Sequence, residues 1–143
     1  MEKYKYYIRK VNYYETDKMG IVHHSNYARY LEEARIDMLE YYGIPLEVLE
    51  QNGIMIPVLQ LSGKFTHSLL FGQTVKIVVE IDKASSVKFG MSYKIYDEEM
   101  KEVLHLGNSE HCFLDMNFRP VPIKRLPAEI AEKINVMREV YGV

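Results

Sequence analysis

Residues 25–43 read SNYARYLEEARIDMLEYYG, and the spacing of apolar side chains in this stretch decides the fold. These side chains recur at steps of three and four residues, which is the period of one face of an α-helix. Ser25 or Asn26 can cap the first turn, and Gly43 followed by Pro45 can end the last one. The stretch therefore predicts a long helix whose broad apolar face must be covered by another layer. That face consists of Tyr27, Tyr30, Leu31, Ala34, Met38, Tyr41 and Tyr42.

Five segments outside this helix are predicted strands, because they are rich in β-branched and aromatic residues. Thr74 to Lys83 and Val87 to Tyr96 alternate apolar and polar side chains, as strands with one buried face do. Ile54 to Phe65 is expected to be largely buried, although Pro57 indicates an edge position or a bulge. The other two predicted strands are Lys3 to Tyr14 and Glu102 to Met116.

A C-terminal helix that begins at Pro127 completes the order strand, long helix, four strands, helix. Leu46 to Gln51 adds one short helical turn. Short connections between consecutive strands favour antiparallel pairing. We therefore predict an α+β fold in which a curved, five-stranded antiparallel sheet wraps the long central helix. A single domain is expected to span residues 1–143.

The composition is that of an ordinary globular domain, with 48% apolar and 27% charged residues. A formal net charge of −2 gives no general attraction to nucleic acid or to an anionic membrane. The longest apolar run, Ile54 to Leu61, is too short to cross a bilayer, so no membrane insertion is expected. A single cysteine, Cys112, and an opening segment without an apolar signal favour a cytoplasmic location.

The chemistry is predicted to lie in the turn that leads into the long helix, where Asp17 and Gly20 occur. Exposed N–H groups at a helix N-terminus attract negative charge and can polarise a carbonyl. Hydrolysis of an ester or thioester needs such donors together with a base or nucleophile. Asp17 is the candidate carboxylate for that role, and the alternative is that it only caps a turn.

Residues 13–27, YYETDKMGIVHHSNY, and residues 30–35, YLEEAR, resemble the signature of the 4-hydroxybenzoyl-CoA thioesterase family. Within that family they resemble the bacterial acyl-CoA thioesterases associated with the Tol–Pal system most. The resemblance implies a hotdog fold that assembles as homodimers or homotetramers, with active sites at the dimer interface. It also implies hydrolysis of an acyl-CoA to a free acid and coenzyme A, with no cofactor beyond the coenzyme A of the substrate.

By position in this signature, Asp17 matches the catalytic aspartate, and the backbone N–H near His24 matches the donor that polarises the carbonyl. The His24 side chain is expected to orient water or to assist protonation, and Tyr13 is near a tyrosine that some members use. The sequence departs from the signature at His23, a position that is more often aromatic, and at Glu15, where aspartate or glycine is common.

The candidate residues for binding coenzyme A are Gly20, for a close backbone approach, and the basic residues Lys88, Arg119 and Lys124. No metal site is expected, because His23 and His24 are adjacent and no cluster completes a ligand set. The remaining histidines are expected to be hydrogen-bonded core or interface residues. They are His67, His105 and His111.

Two other functions remain open at this stage. A hotdog dehydratase or hydratase would aim Asp17 and His23 or His24 at the α or β carbon of an acyl thioester. A non-catalytic protein would hold acyl-CoA or an acyl carrier protein without turnover. The spacing around Asp17 fits the thioesterase pattern better than either.

Overall fold

The computed structural model describes all 143 residues, which form five strands, three α-helices and two short 3₁₀ segments. The 3₁₀ segments are Tyr13–Glu15 and Ile123–Arg125. None of the three helices is long and apolar enough to cross a membrane. The strands are β1 (Tyr7–Lys10), β2 (Val58–Phe65), β3 (Thr74–Ala84), β4 (Lys88–Asp97) and β5 (Val103–Cys112). The helices are α1 (Ser25–Tyr41), α2 (Leu46–Gln51) and α3 (Ala128–Val140).

The strands form one antiparallel sheet in the order β1-β3-β4-β5-β2, which confirms the predicted α+β fold. One pairing differs from the expectation that consecutive strands are neighbours. The strand β2 pairs with β5 and not with β3, because residues 66–73 carry the chain across the end of the sheet. β1 and β2 are consequently the two edge strands.

Helix α1 lies against the inner face of the sheet, and its predicted apolar face is buried except for Tyr41, which is 40% exposed. The helix ends as predicted at Gly43, which has φ +79°. The N–H of Gly43 donates to the carbonyl of Glu40 at 2.9 Å, and that of Ile44 donates to Leu39 at 2.8 Å. These two bonds form a Schellman motif, which satisfies the last carbonyls of the helix.

The start of α1 differs from the prediction, because neither Ser25 nor Asn26 caps the helix with its side chain. The ring nitrogen Nδ1 of His23 accepts the N–H of Ser25 at 3.2 Å. The side-chain amide of Asn26 instead donates to the carbonyl of Glu15 at 2.9 Å. The first turn is thus held by hydrogen bonds to the preceding segment.

The prediction that Ile54 to Phe65 is largely buried is wrong, because all eight residues of β2 are exposed. Apolar side chains of β2 on the inner face are left about half-exposed, although the ring of Phe65 contacts that of Tyr27 in α1. They are Val58, Leu61 and Phe65, with exposures of 48%, 47% and 55%. The edge position and the bulge that Pro57 indicated are both present, since the register shifts between Val58 and Gln60.

A chain of hydrogen bonds between buried polar groups runs from α1 to the start of β2. Arg35 bonds the hydroxyl of Tyr93 at 3.0 Å, and that hydroxyl bonds Ser109 at 2.6 Å. Ser109 bonds Nε2 of His111 at 2.6 Å, and Nδ1 of His111 bonds the carbonyl of Pro57 at 3.1 Å. The chain therefore fastens the edge strand to the core.

The protons in this chain can be assigned from its two ends. A guanidinium only donates, and a carbonyl only accepts. Burial, together with the charge of Arg35, lowers the pKa of His111 to about 4, so its ring is neutral and has one N–H. That proton must be on Nδ1, facing Pro57, and Nε2 accepts from Ser109. The hydroxyl of Tyr93 then donates to Ser109 and accepts from Arg35.

We expect the protein to lose stability as the pH falls from about 6.5 towards 4. Burial also lowers the pKa of His105 to about 4, so both histidines bind protons more readily when the chain is unfolded. The free energy of unfolding is therefore highest above the unfolded pKa of about 6.5. Each histidine lowers it by on the order of 2 kcal/mol when the pH falls to 5. Urea unfolding at pH 7 and pH 5 measures this. The variant His105→Phe should halve the change in the free energy of unfolding between pH 7 and pH 5. The same change as in the wild type would contradict a lowered pKa for His105.

Candidate active site

A tight hairpin turn presents Asp17 directly in front of α1. The N–H of Asp17 donates to the carbonyl of Ile21 at 2.8 Å, and the N–H of Gly20 donates to the carbonyl of Asp17 at 3.0 Å. The carboxylate of Asp17 accepts the N–H of Met19 at 2.8 Å, which fixes the side chain. Gly20 has φ +80°, and a Cβ there would have no neighbour within 4 Å. The turn itself therefore requires a glycine here, and the space beside it is open.

Glu15 is buried just before this hairpin, and its carboxylate anchors the segment. The N–H of Asn12 and the hydroxyl of Tyr30 each donate to it at 2.8 Å, and the guanidinium of Arg9 binds both of its oxygens. Burial would raise the pKa of Glu15, but these donors outweigh burial and lower the pKa. The carboxylate is therefore charged and fully paired.

Arg9 extends this network from β1 to α1. Its Nε donates to Glu33 at 2.8 Å, and its guanidinium lies 4.5 Å from the centre of the Tyr30 ring. Burial would lower the pKa of Arg9, but the hydrogen bonds that it donates to the carboxylates of Glu33 and Glu15 raise that pKa. One arginine thus joins the first strand, the hairpin segment and the central helix.

An open cleft of about 270 Å³ extends from Asp17 across the start of α1 to the end of β2. The rings of Tyr27 and Phe65 meet edge to face in its wall, with centroids 4.7 Å apart. The apolar lining is Met19, Ile21, Val22, Tyr27 and Phe65, and the polar lining is Asp17, His24, Thr66, His67 and Ser68. A carboxylate, a helix N-terminus and an apolar wall therefore share one cleft.

The first turn of α1 leaves the backbone N–H of His24 free. The N–H groups of residues 23 and 25–27 all find acceptors within the chain, at 2.9 to 3.3 Å. The N–H of His24 has none. A free donor at a helix N-terminus favours a partial negative charge, and this one belongs to a residue that lines the cleft with Asp17. The pair can therefore act on a carbonyl group between them.

Tyr13 and the ring of His24 are placed differently from each other. Tyr13 is 76% exposed in the first 3₁₀ segment and packs against Phe71, with ring centroids 5.5 Å apart, outside the cleft lining. The ring of His24 is exposed and lies 4.1 Å from that of His23. The structure thus brings Asp17 and His24 together and leaves Tyr13 at a distance from this cleft.

The three basic candidates lie at the other end of the sheet. Lys88 begins β4 and pairs with Glu110 at 3.7 Å, while Arg119 and Lys124 follow the end of β5. These positions are next to the Val58 end of β2, whereas the Asp17 cleft is at the Phe65 end. A strand of eight residues is about 23 Å long. Within one chain, therefore, the basic residues do not line the cleft.

Two features of the site were not found by sequence analysis. The buried role of Glu15 was missed, because its partners Arg9 and Tyr30 are six and fifteen residues away and share no period with it. The polar residues 66–68 of the cleft were also missed, since they follow an edge strand that was expected to be buried. The one available signal was that Glu15 stands where the family signature more often has aspartate or glycine.

Comparison with known proteins gives consistent matches over most of the chain. Residues 11–134 match the thioesterase-like superfamily. The chain is 24% identical over 137 residues to a 1,4-dihydroxy-2-naphthoyl-CoA hydrolase of Thermosynechococcus vestitus, covering 89% of this chain and 93% of that protein. The crystal structure of a DHNA-CoA thioesterase from Staphylococcus aureus superimposes with a TM-score of 0.88 at 27% identity, covering 96% and 92%. A hypothetical protein from Thermus thermophilus gives 0.83 at 34% identity, covering 92% and 98%.

The fold and these comparisons define a hotdog-fold enzyme that hydrolyses thioesters. The chain belongs to the thioesterase-like superfamily, whose match includes the Asp17 hairpin and the whole of α1. The predicted hotdog fold and the predicted enzyme class are confirmed. The finer resemblance to 4-hydroxybenzoyl-CoA and Tol–Pal-associated enzymes stays a prediction.

We expect Glu15→Gln to lower the free energy of unfolding by about 3 kcal/mol, because it removes the buried carboxylate that pairs both guanidinium nitrogens of Arg9 and leaves only the partly exposed Glu33 as a charged partner. The matched control is Glu33→Gln, since Glu33 bonds the same arginine. Its side chain is 35% exposed, against 4% for Glu15, so its loss should be below about 1 kcal/mol. Urea unfolding at pH 7 compares the two variants. Equal losses would contradict the anchoring role of Glu15.

Proposed function

We propose that this protein is an acyl-CoA thioesterase that hydrolyses an acyl-CoA to a free acid and coenzyme A. The observation that carries this proposal is that the carboxylate of Asp17 and the free N–H of His24 share one cleft with an apolar wall. The relatives named as naphthoyl-CoA hydrolase and DHNA-CoA thioesterase support a coenzyme A thioester as the substrate. No cofactor beyond the coenzyme A of the substrate is required.

In the proposed reaction, the thioester carbonyl oxygen accepts the N–H of His24, so that negative charge developing on it is stabilised. Asp17 then either removes a proton from a water molecule that attacks the carbonyl carbon, or attacks that carbon itself. The second route gives an anhydride that water hydrolyses. In both, the carbon–sulfur bond breaks and coenzyme A leaves. The exposed ring of His24 can orient water or assist protonation, whereas Tyr13, which lies outside the cleft lining, has no part in this step.

We also propose that the active enzyme is a homodimer formed through β2. A homotetramer would consist of two such dimers. This strand bonds β5 on one side only and presents Val58, Leu61 and Phe65 on its inner face. Pairing with the same strand of a second copy would satisfy its free backbone groups and bury this apolar strip. A cytoplasmic location is part of the proposal, because it suits the single buried cysteine, Cys112.

This assembly would also give the basic residues a role. In an antiparallel pair of β2 strands related by a two-fold axis, the Phe65 end of one copy lies beside the Val58 end of the other. Lys88, Arg119 and Lys124 of the partner subunit would then approach the Asp17 cleft, where the phosphates of coenzyme A could bind. The distance of about 23 Å within one chain is therefore compatible with their proposed function.

We expect Asp17→Asn to lower kcat by about 100-fold or more, because it removes the base or nucleophile while keeping the size of the side chain. Release of coenzyme A, detected with a thiol reagent across short, long and aromatic acyl-CoAs, measures this. The matched control is Asp97→Asn, since Asp97 likewise accepts backbone N–H groups in a turn, at 2.8 and 2.9 Å, but is not among the residues that line the cleft.

Folded Asp17→Asn protein with wild-type hydrolysis of every active substrate would refute the role of this residue. An enoyl-CoA in the same panel tests the alternative reaction. Loss of its double bond without release of the thiol would identify a hydratase.

We expect Leu61→Lys to give a monomer with at least about tenfold lower kcat/KM, because it introduces a charge where two copies of β2 would bury an apolar side chain. Light scattering after size-exclusion chromatography and the thiol assay measure both effects. The control is Leu106→Lys, on the outer face of the neighbouring strand, which should leave the dimer intact. A Leu61→Lys dimer with full activity would exclude this interface.

A further inference from the structure

His67 is a histidine of the Asp17 cleft that the reaction described above does not use. Its side chain lines the cleft together with Asp17 and is 51% exposed. The expectation that His67 is a core or interface histidine is therefore wrong within one chain, although its ring is hydrogen-bonded. An imidazole in a cleft that is open to solvent can exchange protons both with water and with a bound substrate.

The segment that carries His67 is fixed by backbone hydrogen bonds on two sides. The N–H of His67 donates to the carbonyl of Leu104 in β5 at 3.1 Å. Two residues further along, the carbonyl of Leu69 accepts the N–H of Val22, which follows the Asp17 hairpin, at 2.8 Å. The segment therefore joins β5 to the hairpin, and the fold itself sets the position of His67 relative to Asp17.

Both ring nitrogens of His67 face hydrogen-bond acceptors. Nε2 lies 2.9 Å from Oε1 of Glu102, and Nδ1 lies 3.4 Å from the hydroxyl of Thr66. That hydroxyl donates its own proton to the carbonyl of Val103 at 3.3 Å, so it can only accept from Nδ1. This arrangement suits an imidazolium, which has two N–H groups. Its Nε2 is held by a carboxylate, and the long contact at Nδ1 leaves that N–H able to bond a substrate.

The proposed hydrolysis needs a proton donor for its leaving group. When the carbon–sulfur bond breaks, the electron pair stays on sulfur, and an alkanethiol is protonated at pH 7. The N–H of His24 is engaged by the carbonyl oxygen. If Asp17 is the nucleophile, it has no proton to give at this stage. The ring of His24 contacts that of His23 and has no carboxylate to orient it.

We propose that His67 is the general acid of this reaction and that Glu102 is its positioning residue. The imidazolium gives its Nδ1 proton to the sulfur of coenzyme A as the carbon–sulfur bond breaks, so that the free thiol leaves. The neutral ring then takes a proton from solvent, which restores the imidazolium for the next cycle. The inference rests on the proposed thioesterase function and adds the residue that releases the thiol. The ring of His24 keeps the role of orienting water.

The test compares two leaving groups on the same acyl chain. The acyl group that the wild type hydrolyses fastest is supplied as its coenzyme A thioester and as its thioester with 5-thio-2-nitrobenzoate, a thiol acidic enough to leave without a proton. His67→Gln should lower kcat for the coenzyme A thioester by about 100-fold and change kcat for the nitrobenzoate thioester by less than about threefold. Glu102→Gln should lower the first rate by about tenfold and likewise spare the second.

The matched control is Glu129→Gln, which removes the carboxylate of another exposed ion pair, with Lys133 on α3 at 3.6 Å, outside the cleft lining. It should keep both rates. All three variants should keep the wild-type Tm, because exposed ion pairs contribute little to stability. Wild-type kcat for the coenzyme A thioester in His67→Gln, or an equal loss for both thioesters, would overturn the role of His67 alone. Release of a thiol from no thioester by the wild type would overturn the proposed function, and the general acid with it.

Discussion

The buried carboxylate of Glu15 is the contact on which the candidate site depends. Through Arg9 it holds the first strand, and through Tyr30 it holds the central helix. Its backbone carbonyl accepts the N–H of His23 at 2.9 Å, so the same residue also fixes the approach to the helix. The hairpin with Asp17 lies between these fixed points and can adopt few other positions. A site on a loop is thereby given the rigidity of the elements that flank it.

The central helix could be predicted closely from the sequence, because its period and the glycine at position 43 are local signals. The order of the strands could not be predicted in the same way. Pairing of β2 with β5 joins residues at least forty positions apart, and no local pattern encodes it. The prediction that β2 is buried was wrong for a related reason. Apolar composition indicates that a strand will be covered, but it does not indicate whether the same chain or a second copy covers it.

The residues of the candidate site also differ in how far local sequence could predict them. Asp17 and His24 lie on one continuous segment, so a motif of fixed spacing was sufficient to predict both. The residues that other segments contribute to the cleft, such as residues 65–68, could be identified only from the structure. Sequence analysis expected His105 and His111 both to be hydrogen-bonded, yet only His111 bonds through both ring nitrogens, and Nδ1 of His105 is buried without a partner.

The chain of hydrogen bonds from Arg35 to Pro57 has a fixed polarity, since its first member cannot accept and its last cannot donate. It therefore cannot work as a proton wire, which would require every link to reverse. Its donors and acceptors have only one possible arrangement, so the chain has a structural role. Each of the three inner members, Tyr93, Ser109 and His111, bonds two neighbours. Replacement of one of them therefore leaves two buried polar groups without a suitable hydrogen-bond partner. In the evolution of this enzyme, these three positions should accordingly change together or not at all.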